Sequence, residues 1–430
     1  MTRSLELAVV SVTLTESTQI AANISSWLDS SSCDDIYISH NIPWETLAGE
    51  GKLADLTSMY ATTVYTDTNA EAGNQAVTFA DRITSSSLRT AKLGDYYYKV
   101  PYVSGAGGIA YNVTMFEQNG WDIPETYEEL VTLCATINAA NISCGIGQTV
   151  KPFIWSGTDE YLWDCVVFDW WAQLAGVEEN DSNSNSINKF NKYLSSSQFN
   201  PDTSPELKNA WAAWYDLIAN KPENYVSGST GLNHMDSQMA FAQGKAAMIP
   251  AACWLESEVG EENLITLSTE IALMPTPFLA DAKKDANNKP IRVNYDLAAA
   301  DSIVVSQKGN NTAVAKEFLL FMSELDHSKV FPELAGGALF AMKYNFGELK
   351  LMANSKWKLS MYEIVESSIR FNRYSSNPMY IKGLVQPYVN GYQYLTVAGA
   401  PASYTPTVVF NNAYNYARNN WNNWRQQAGL

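Results

Sequence analysis

Basic residues are scarce in this sequence. Its 28 Lys and Arg residues face 45 Asp and Glu residues, which gives a formal net charge of -17 at pH 7. A field of that sign repels phosphate backbones and anionic lipids, so we expect no nucleic-acid partner. It also disfavours a strongly anionic ligand. A neutral ligand recognised through hydrogen bonds fits this charge balance, and a cationic ligand stays open.

Histidine and paired cysteine, the usual elements of metal and nucleophilic sites, are nearly absent. The 3 histidines are far apart in the chain, and neither HExxH nor GxSxG occurs. The 5 cysteines form no CxxC pair, which argues against a zinc ribbon or a thioredoxin-like motif. We therefore expect no metal, no cofactor and no catalytic residue. Cys134 and Cys144 leave two alternatives open, a disulfide or two small buried side chains.

Long apolar runs are also missing. No stretch reaches the roughly 18 uninterrupted apolar residues that a membrane helix needs. The first four residues, MTRS, carry neither a secretion signal nor a lipobox cysteine. Two alternatives follow, a cytoplasmic protein or an exported protein whose signal is absent from this sequence. The chain has 430 residues, more than one compact core usually supports, so we expect two lobes.

Apolar segments of strand length alternate with segments of helical spacing, which is typical of an α/β layered sheet. Predicted strands include 5–12, 35–39, 96–102, 145–148, 246–251 and 302–305, and predicted helices include 15–28, 44–48, 125–140 (N-cap Thr126), 161–175, 206–219, 236–243 and 312–324. An acidic loop over 178–188 and a helical tail from 356 complete the pattern. The run GAGGIA at 105–110 matches the dinucleotide pattern GxGxxA. We interpret it as a flexible joint, because 109–113 reads as strand where a cofactor site needs a helix.

Aromatic residues are abundant, with 13 Trp and 24 Tyr. A sugar ring offers an apolar face to aromatic planes and a rim of hydroxyls to polar groups, so this content favours a carbohydrate ligand. Core packing competes with that interpretation. Trp211 and Trp214 stand at helical spacing, and we assign them to the core, as we do Trp170 and Trp171.

Position along the chain separates site candidates from core residues. In open α/β sheets, ligands bind beyond the carboxyl ends of the strands. Trp254 directly follows the predicted strand 246–251 and is the first candidate. The other candidates for ligand contact also lie at or beside the ends of predicted strands: Ser39, His40, Asn41, Trp44, Ser104, Trp155, Tyr161, Tyr295 and Asp296.

Four motifs in order resemble a known family. They are DIY at 35–37 with GKLADL at 51–56; VPY at 100–102 with YN at 111–112, FEQNG at 116–120 and PETYEEL at 124–130; FAQGKAAM at 241–248 with Trp254; and AVAKEFLLF at 313–321. Together they are similar to the extracellular sugar-binding proteins of ABC importers, the family that includes maltose-binding protein.

The resemblance implies a two-lobed α/β fold of the periplasmic-binding-protein type II class, with a ligand cleft between the lobes. Lobe 1 would hold 1–110 plus 295–335, and lobe 2 would hold 111–294 plus 336–430. Chain crossings are expected near 105–111, 292–300 and 335–340. Trp254 falls where family members stack a sugar ring, and the segment Ser39 to Asn41 falls on a loop that contacts ligand.

The same resemblance implies the partners and the location. They are a carbohydrate ligand and the membrane permease of an ABC transporter, with a monomeric protein that is lipid-anchored outside the cell or free in a periplasm. One departure concerns the N-terminus, because the family places one more βα unit ahead of position 34 than this sequence holds. We therefore expect either a missing N-terminal βα unit or a rebuilt first lobe.

Binding without catalysis is the predicted function. Two alternatives from other classes stay open. Acidic pairs such as Asp34-Asp35 and Asp159-Glu160 could serve a glycan-processing enzyme. The acidic net charge would also suit a binding protein for a peptide or a polyamine.

Overall fold

A computed structural model describes most of the chain. The described residues are 11–15, 17–40, 42–65, 76–145, 147–157, 163–176, 205–219, 221–261, 270–296 and 301–371, with scattered positions between 405 and 426. Two predicted features, the strand over 5–12 and the acidic loop over 178–188, lie largely or wholly outside these ranges. Within the described ranges, no helix combines the length and the apolar character needed to cross a membrane.

Helices and short strands alternate along the described chain. The strands are β1 Ile36–His40, β2 Thr63–Tyr65, β3 Ala76–Thr78, β4 Lys92–Leu93, β5 Tyr96–Tyr97, β6 Lys99–Pro101, β7 Val103–Ser104, β8 Gly107–Asn112, β9 Ser143–Gly145, β10 Gln148–Thr149, β11 Lys151–Phe153, β12 Ala246–Ala252, β13 Ile271–Met274, β14 Val293–Tyr295, β15 Asp301–Val305, β16 Leu339–Phe340 and β17 Ile369–Phe371. The helices are α1 Ser17–Trp27, α2 Trp44–Gly49, α3 Thr57–Tyr60, α4 Phe79–Arg82, α5 Ser85–Leu88, α6 Val113–Asn119, α7 Tyr127–Ala140, α8 Phe168–Ala175, α9 Glu206–Trp214, α10 His234–Ala242, α11 Leu255–Glu261, α12 Thr312–Ser323, α13 Leu325–Ser328, α14 Val330–Leu334, α15 Phe346–Met352 and α16 Lys356–Ser367. Segments of π-helix, Trp163–Val167 and Tyr215–Ala219, adjoin α8 and α9.

The chain divides into two compact units. Unit 1 comprises Met1–Gly105 and Asp296–Met352, and unit 2 comprises Ala106–Tyr295 and Ala353–Leu430. The chain therefore changes unit after Gly105, after Tyr295 and after Met352. The lobe boundaries given above stay a prediction.

Unit 1 is built on a three-stranded sheet in the order β1-β15-β6, in which both pairs are antiparallel. Alternate residues of the central strand face opposite sides, as the pleat requires. Val304 belongs to one core cluster with Ile24, Leu28 and Trp44. Ile24 lies in α1, Leu28 directly follows α1, and Trp44 begins α2. Ile303 and Val305 join the other cluster, on the opposite face.

Unit 2 is built on a four-stranded mixed sheet in the order β11-β12-β8-β13. β11 and β12 are parallel, whereas β8 is antiparallel to both of its neighbours. All residues of β8 and β12 are buried, which explains their continuous runs of apolar and small residues. Large aromatic side chains fill the core around this sheet: Trp155, Trp170, Trp171, Trp211, Trp214 and Trp357 are each almost fully buried.

The ends of the helices follow local sequence signals. Thr126 caps α7 in a capping box, in which its hydroxyl accepts from the N–H of Glu129 and the Glu129 carboxylate accepts from the N–H of Thr126. The predicted N-cap is thereby confirmed. Gly244, just beyond α10, has a φ of 76°, the left-handed conformation that glycine adopts without strain.

The glycine-rich run at 105–110 forms a strand and not a phosphate-binding turn. Its residues from Gly107 onward belong to β8, which pairs with β12 on one side and β13 on the other. A Cβ atom at position 108 would overlap the carbonyl oxygen of Met274 on β13. Gly108 is therefore required for the close approach of two backbones, and the predicted strand character of this segment is confirmed.

We expect Gly108→Ala to lower the free energy of unfolding by about 1–3 kcal/mol, the usual cost of overpacking a well-filled site. Gly49→Ala is the matched control, because a Cβ atom at position 49 would meet nothing within 4 Å. Urea unfolding of both variants measures the difference. Equal stabilities would contradict the steric role assigned to Gly108.

Candidate functional site

In unit 1, two candidate residues lie inside a strand and not after it. β1 extends to His40, so Ser39 pairs with Ser302 and His40 pairs with Asp301 of β15. The sequence analysis placed Ser39 at the end of the predicted strand 35–39 and His40 just beyond it. That placement is wrong for His40, because pairing with β15 continues through position 40. Ser39 is buried. The side chain of His40, and the whole of Asn41, lie outside the described residues.

Trp44, the first residue of α2, is buried beside a buried cation. The Nζ atom of Lys99 lies 5.2 Å from the centre of the Trp44 ring, within the range of a cation–π interaction. The indole Nε1 of Trp44 is buried and has no hydrogen-bond partner among the described residues. Trp44 thus has one contact of its ring with a cation and a buried Nε1 donor.

Lys99 is a residue that the sequence analysis missed. It is fully buried on β6, and burial lowers the pKa of its ammonium group to about 8, against the opposing effect of Glu45 and Asp301. Burial also raises the pKa of the Glu45 carboxyl group, while Lys99 lowers it. A signal was present, since a lone charge stands between Tyr98 and Val100 in an otherwise apolar strand. His40, Trp44, Glu45, Lys99 and Asp301 therefore share one region of unit 1.

Ser104 and Asp296 are brought together in unit 1. Both side chains are buried, and the Ser104 hydroxyl donates to Oδ1 of Asp296 at 3.0 Å. Ser104 also belongs to β7, which pairs with β16 through Leu339. The two residues stand at the points where the chain leaves and re-enters unit 1. Their predicted ligand role stays a prediction.

In unit 2, Trp155 is part of the aromatic core. It follows β11, not the strand that was expected near 145–148, where β9 and β10 instead form an antiparallel pair. Its ring makes an edge contact with Trp214 at 5.7 Å between centroids and a tilted contact with Tyr225 at 5.0 Å. Its buried Nε1 has no hydrogen-bond partner among the described residues. Tyr161, the candidate paired with it, lies outside the described residues.

Trp254 lies where the sequence predicts it, between the end of β12 and the start of α11. Its carbonyl oxygen accepts from the N–H of Glu258 at 3.0 Å and from the hydroxyl of Ser257 at 2.9 Å. The first turn of α11 thereby fixes its backbone. The side chain of Trp254 is partly exposed, unlike the six tryptophans of the unit 2 core. Its ring is therefore less occupied by core packing than theirs.

Tyr295 ends β14 and is buried against Phe168, with ring centroids 5.9 Å apart. Its backbone N–H donates to Oδ1 of Asp169 at 2.7 Å. Asp169 is a second residue that the sequence analysis missed, although an acidic residue inside the apolar segment 161–175 was visible. Burial raises the pKa of Asp169 to about 7, against the lowering effect of its hydrogen bonds and of Arg370.

Metal and disulfide chemistry find no support among the described residues. No group of three or more His, Cys, Asp or Glu side chains converges there as a metal site would require. Cys134 and Cys144 are both free thiols, so the disulfide alternative is wrong. Burial strongly raises the pKa of the Cys134 thiol, which keeps it protonated.

A family model and a curated protein match the sequence. The model of the family described as "Bacterial extracellular solute-binding protein" matches residues 9–324. The chain is 28% identical over 233 residues to the "Multiple sugar-binding protein" of Streptococcus mutans, a match that covers 54% of this chain and 48% of the relative. The chain thus spans about half the length of this curated relative.

Solved structures share the fold at low sequence identity. The solute-binding protein RafE in complex with raffinose has a TM-score of 0.63 at 15% identity, with 96% of this chain and 91% of RafE covered. The maltose-bound T. maritima MalE3 has a TM-score of 0.60 at 15% identity, with 94% and 87% covered. These likenesses confirm the predicted α/β class of type II solute-binding proteins.

We expect Lys99 to make stability depend on alkaline pH. Its pKa is lower in the folded chain than its ordinary value of 10.5, so the folded chain binds fewer protons than the unfolded chain between about pH 8 and 10.5. Stability from this group therefore rises with pH through that window. Relative to Lys99→Met, the native chain should gain about 3 kcal/mol between pH 7.5 and 10.5.

Urea unfolding of both proteins at a series of pH values measures this gain, because all other titrating groups are shared and cancel. Lys308→Met is the control, since the Lys308 side chain is 57% exposed. A native gain of the same size relative to Lys308→Met, or no native gain relative to Lys99→Met, would count against the buried cation.

Proposed function

The chain belongs to the bacterial extracellular solute-binding proteins, and on that premise we propose that it binds a neutral mono- or oligosaccharide for delivery to an ABC transporter permease. The family places the protein outside the cytoplasm. Lipid anchoring at the outer face of the membrane is the finer proposal, as is a monomeric state. Binding, and not turnover, is the output.

The observation that carries the proposal is the setting of Trp254. Its backbone is fixed by the first turn of α11 and its ring is partly exposed, at the carboxyl end of the fully buried strand β12. An aromatic plane held in this way is pre-organised to stack on the apolar face of a sugar ring. The names of the relatives support the same ligand class, since they include a multiple sugar-binding protein and structures with raffinose and maltose bound.

Unit 1 supplies polar groups suited to sugar hydroxyls. The Nε1 donor of Trp44 is buried without a partner among the described residues, and a ligand oxygen would satisfy it. The carboxylate of Asp296 accepts from the Ser104 hydroxyl, and carboxylates are groups that accept from sugar hydroxyls. We propose Trp44, Ser104 and Asp296 as contacts to the sugar rim.

We expect Trp254→Ala to weaken carbohydrate binding by about 1–3 kcal/mol or more, the range for a lost aromatic anchor. Trp121→Ala is the matched control. Trp121 follows α6, the helix that begins at the carboxyl end of β8, and its ring contacts Phe116 of that helix. Because β8 is antiparallel to β12, α6 begins at the opposite end of the paired strands from Trp254. Isothermal titration calorimetry measures both variants. Unchanged affinity of Trp254→Ala would overturn its assignment.

A ligand screen separates the classes of ligand. A ligand that binds only the folded chain raises its apparent melting temperature. We expect stabilisation by sugars from a panel of raffinose, maltose and chitin oligosaccharides, and none by polyamines or peptides. Stabilisation by amines or peptides alone would favour the alternative solute class. Release of monosaccharide from the glycan panel by the purified protein would contradict binding without catalysis.

A further inference from the structure

Asp169 is a carboxylate that is buried in unit 2 and surrounded by donors. It is the second residue of α8 and only 1% exposed. Oδ1 accepts from the backbone N–H of Tyr295 at 2.7 Å. Oδ2 accepts from Nδ2 of Asn294 at 3.1 Å and from the hydroxyl of Thr276 at 3.0 Å. Each of the two oxygens is therefore engaged, and two of the three donors belong to adjacent residues of β14.

Asn294 extends this arrangement to two further strands. Its Nδ2 also donates to the carbonyl oxygen of Gly107 at the start of β8, at 2.7 Å. Its Oδ1 accepts from the guanidinium group of Arg370 on β17, at 2.8 Å. The side chain of Asn294 thus joins β8, β14 and β17, and the Asp169 carboxylate fixes which way the Asn294 amide points.

These strands matter because the chain changes unit beside them. It enters unit 2 at Ala106, one residue before Gly107, and leaves after Tyr295. The bond from Asn294 to Gly107 therefore joins the two crossings on the unit 2 side. The bond from Ser104 to Asp296 joins the same two crossings within unit 1. Asp169 is the group that orients both Asn294 and the backbone of Tyr295.

We propose that Asp169 is a positioning residue for ligand binding, which holds the two chain crossings together through Asn294 and Tyr295. The part that concerns the ligand rests on the proposed carbohydrate function. On this view the ionised carboxylate keeps Tyr295 and the adjoining Asp296 in the geometry that the sugar meets.

The neighbours of Asp169 make this arrangement sensitive to protonation. Among the described residues, the charged groups that act on it are Arg370 on β17 and Arg292 just before β14, and both favour the ionised form. The packed helix α9 buries Ala210, Trp211 and Trp214, none of which carries a charge. Burial opposes the two guanidinium groups and raises the pKa of Asp169 to about 7.

Protonation removes an acceptor that Asn294 needs. A proton on Oδ2 can be donated to the Thr276 hydroxyl, which can rotate to accept it, but the Asn294 amide then faces a donor. We therefore expect acidification below about pH 7 to weaken the hydrogen bond from Asn294 to Asp169 and, with it, carbohydrate binding. The stability of the chain responds with the opposite sign. The folded pKa lies above the ordinary value of 3.8, so stability falls as the pH rises from about 4 to 7.

The variant Asp169→Asn tests the proposal, because the asparagine amide cannot accept hydrogen bonds from all three donors. For raffinose and maltose as probes, we expect binding at pH 8 to weaken by about tenfold, the equivalent of one net hydrogen bond. The pH dependence of affinity between pH 6 and 8 should disappear. Asp122→Asn, at an exposed position, is the matched control. Affinity that keeps its native pH profile in Asp169→Asn would overturn the proposal.

A second variant covers the case in which Asp169→Asn fails to fold. Arg370→Met removes a positive charge that lowers the pKa of Asp169 and the partner of the Asn294 Oδ1 atom. The midpoint of the pH dependence of affinity should therefore move to higher pH. An unchanged midpoint would contradict the role of Asp169.

Hydrogen exchange of the Tyr295 amide, measured without ligand, tests the role of Asp169 independently of the proposed carbohydrate binding. We expect faster exchange in Asp169→Asn, and faster exchange in the native chain at pH 6 than the intrinsic pH dependence of exchange allows. If no sugar of the panel binds, the proposed function fails, while the exchange rate still decides whether Asp169 holds the Tyr295 backbone. Unchanged exchange of the Tyr295 amide would refute the positioning role of Asp169 even if both sugars bind.

Discussion

The burial of one carboxylate organises the most constrained part of unit 2. An isolated carboxylate in an apolar setting is too costly to keep ionised, so its neighbours must supply donors or it must take up a proton. Asp169 receives hydrogen bonds from its neighbours and also has a raised affinity for a proton. Tyr295, Asn294 and Thr276 donate to it, and its pKa still rises to about 7. The Asp169 carboxyl group is therefore only partly ionised near pH 7.

A buried cation poses the corresponding problem in unit 1. Lys99 is held beneath the Trp44 ring, and its pKa falls to about 8 because burial outweighs the attraction of Glu45 and Asp301. Replacing such a group with an apolar side chain of similar volume is often neutral or stabilising. Its position beside a tryptophan with an unsatisfied buried Nε1 argues for a role in holding that ring, and not for a contribution to stability.

The sequence patterns predicted several elements well, whereas the ligand role of the candidate site residues stays a prediction. Helical spacing and cap residues located α1, α7, α10 and α12, because amphipathic periodicity and capping are local properties. Trp254 was located for the same reason, since it follows a strand of small apolar residues whose end is visible in the sequence. The interpretation of 105–110 as a joint agrees with the change of unit after Gly105. It did not reveal why glycine is required at position 108, which only the approach of β13 shows.

Residues that depend on distant pairing could not be read in the same way. Ser39 and His40 belong to β1 because β15, more than 250 positions later, supplies their backbone partners. Asp169 gains its role from Asn294 and Tyr295, over 120 positions away. A single charge inside an apolar helix signals that some partner exists, but not which one. Charged residues in apolar segments are thus the one local trace that such long-range sites leave in a sequence, and both Lys99 and Asp169 carry it.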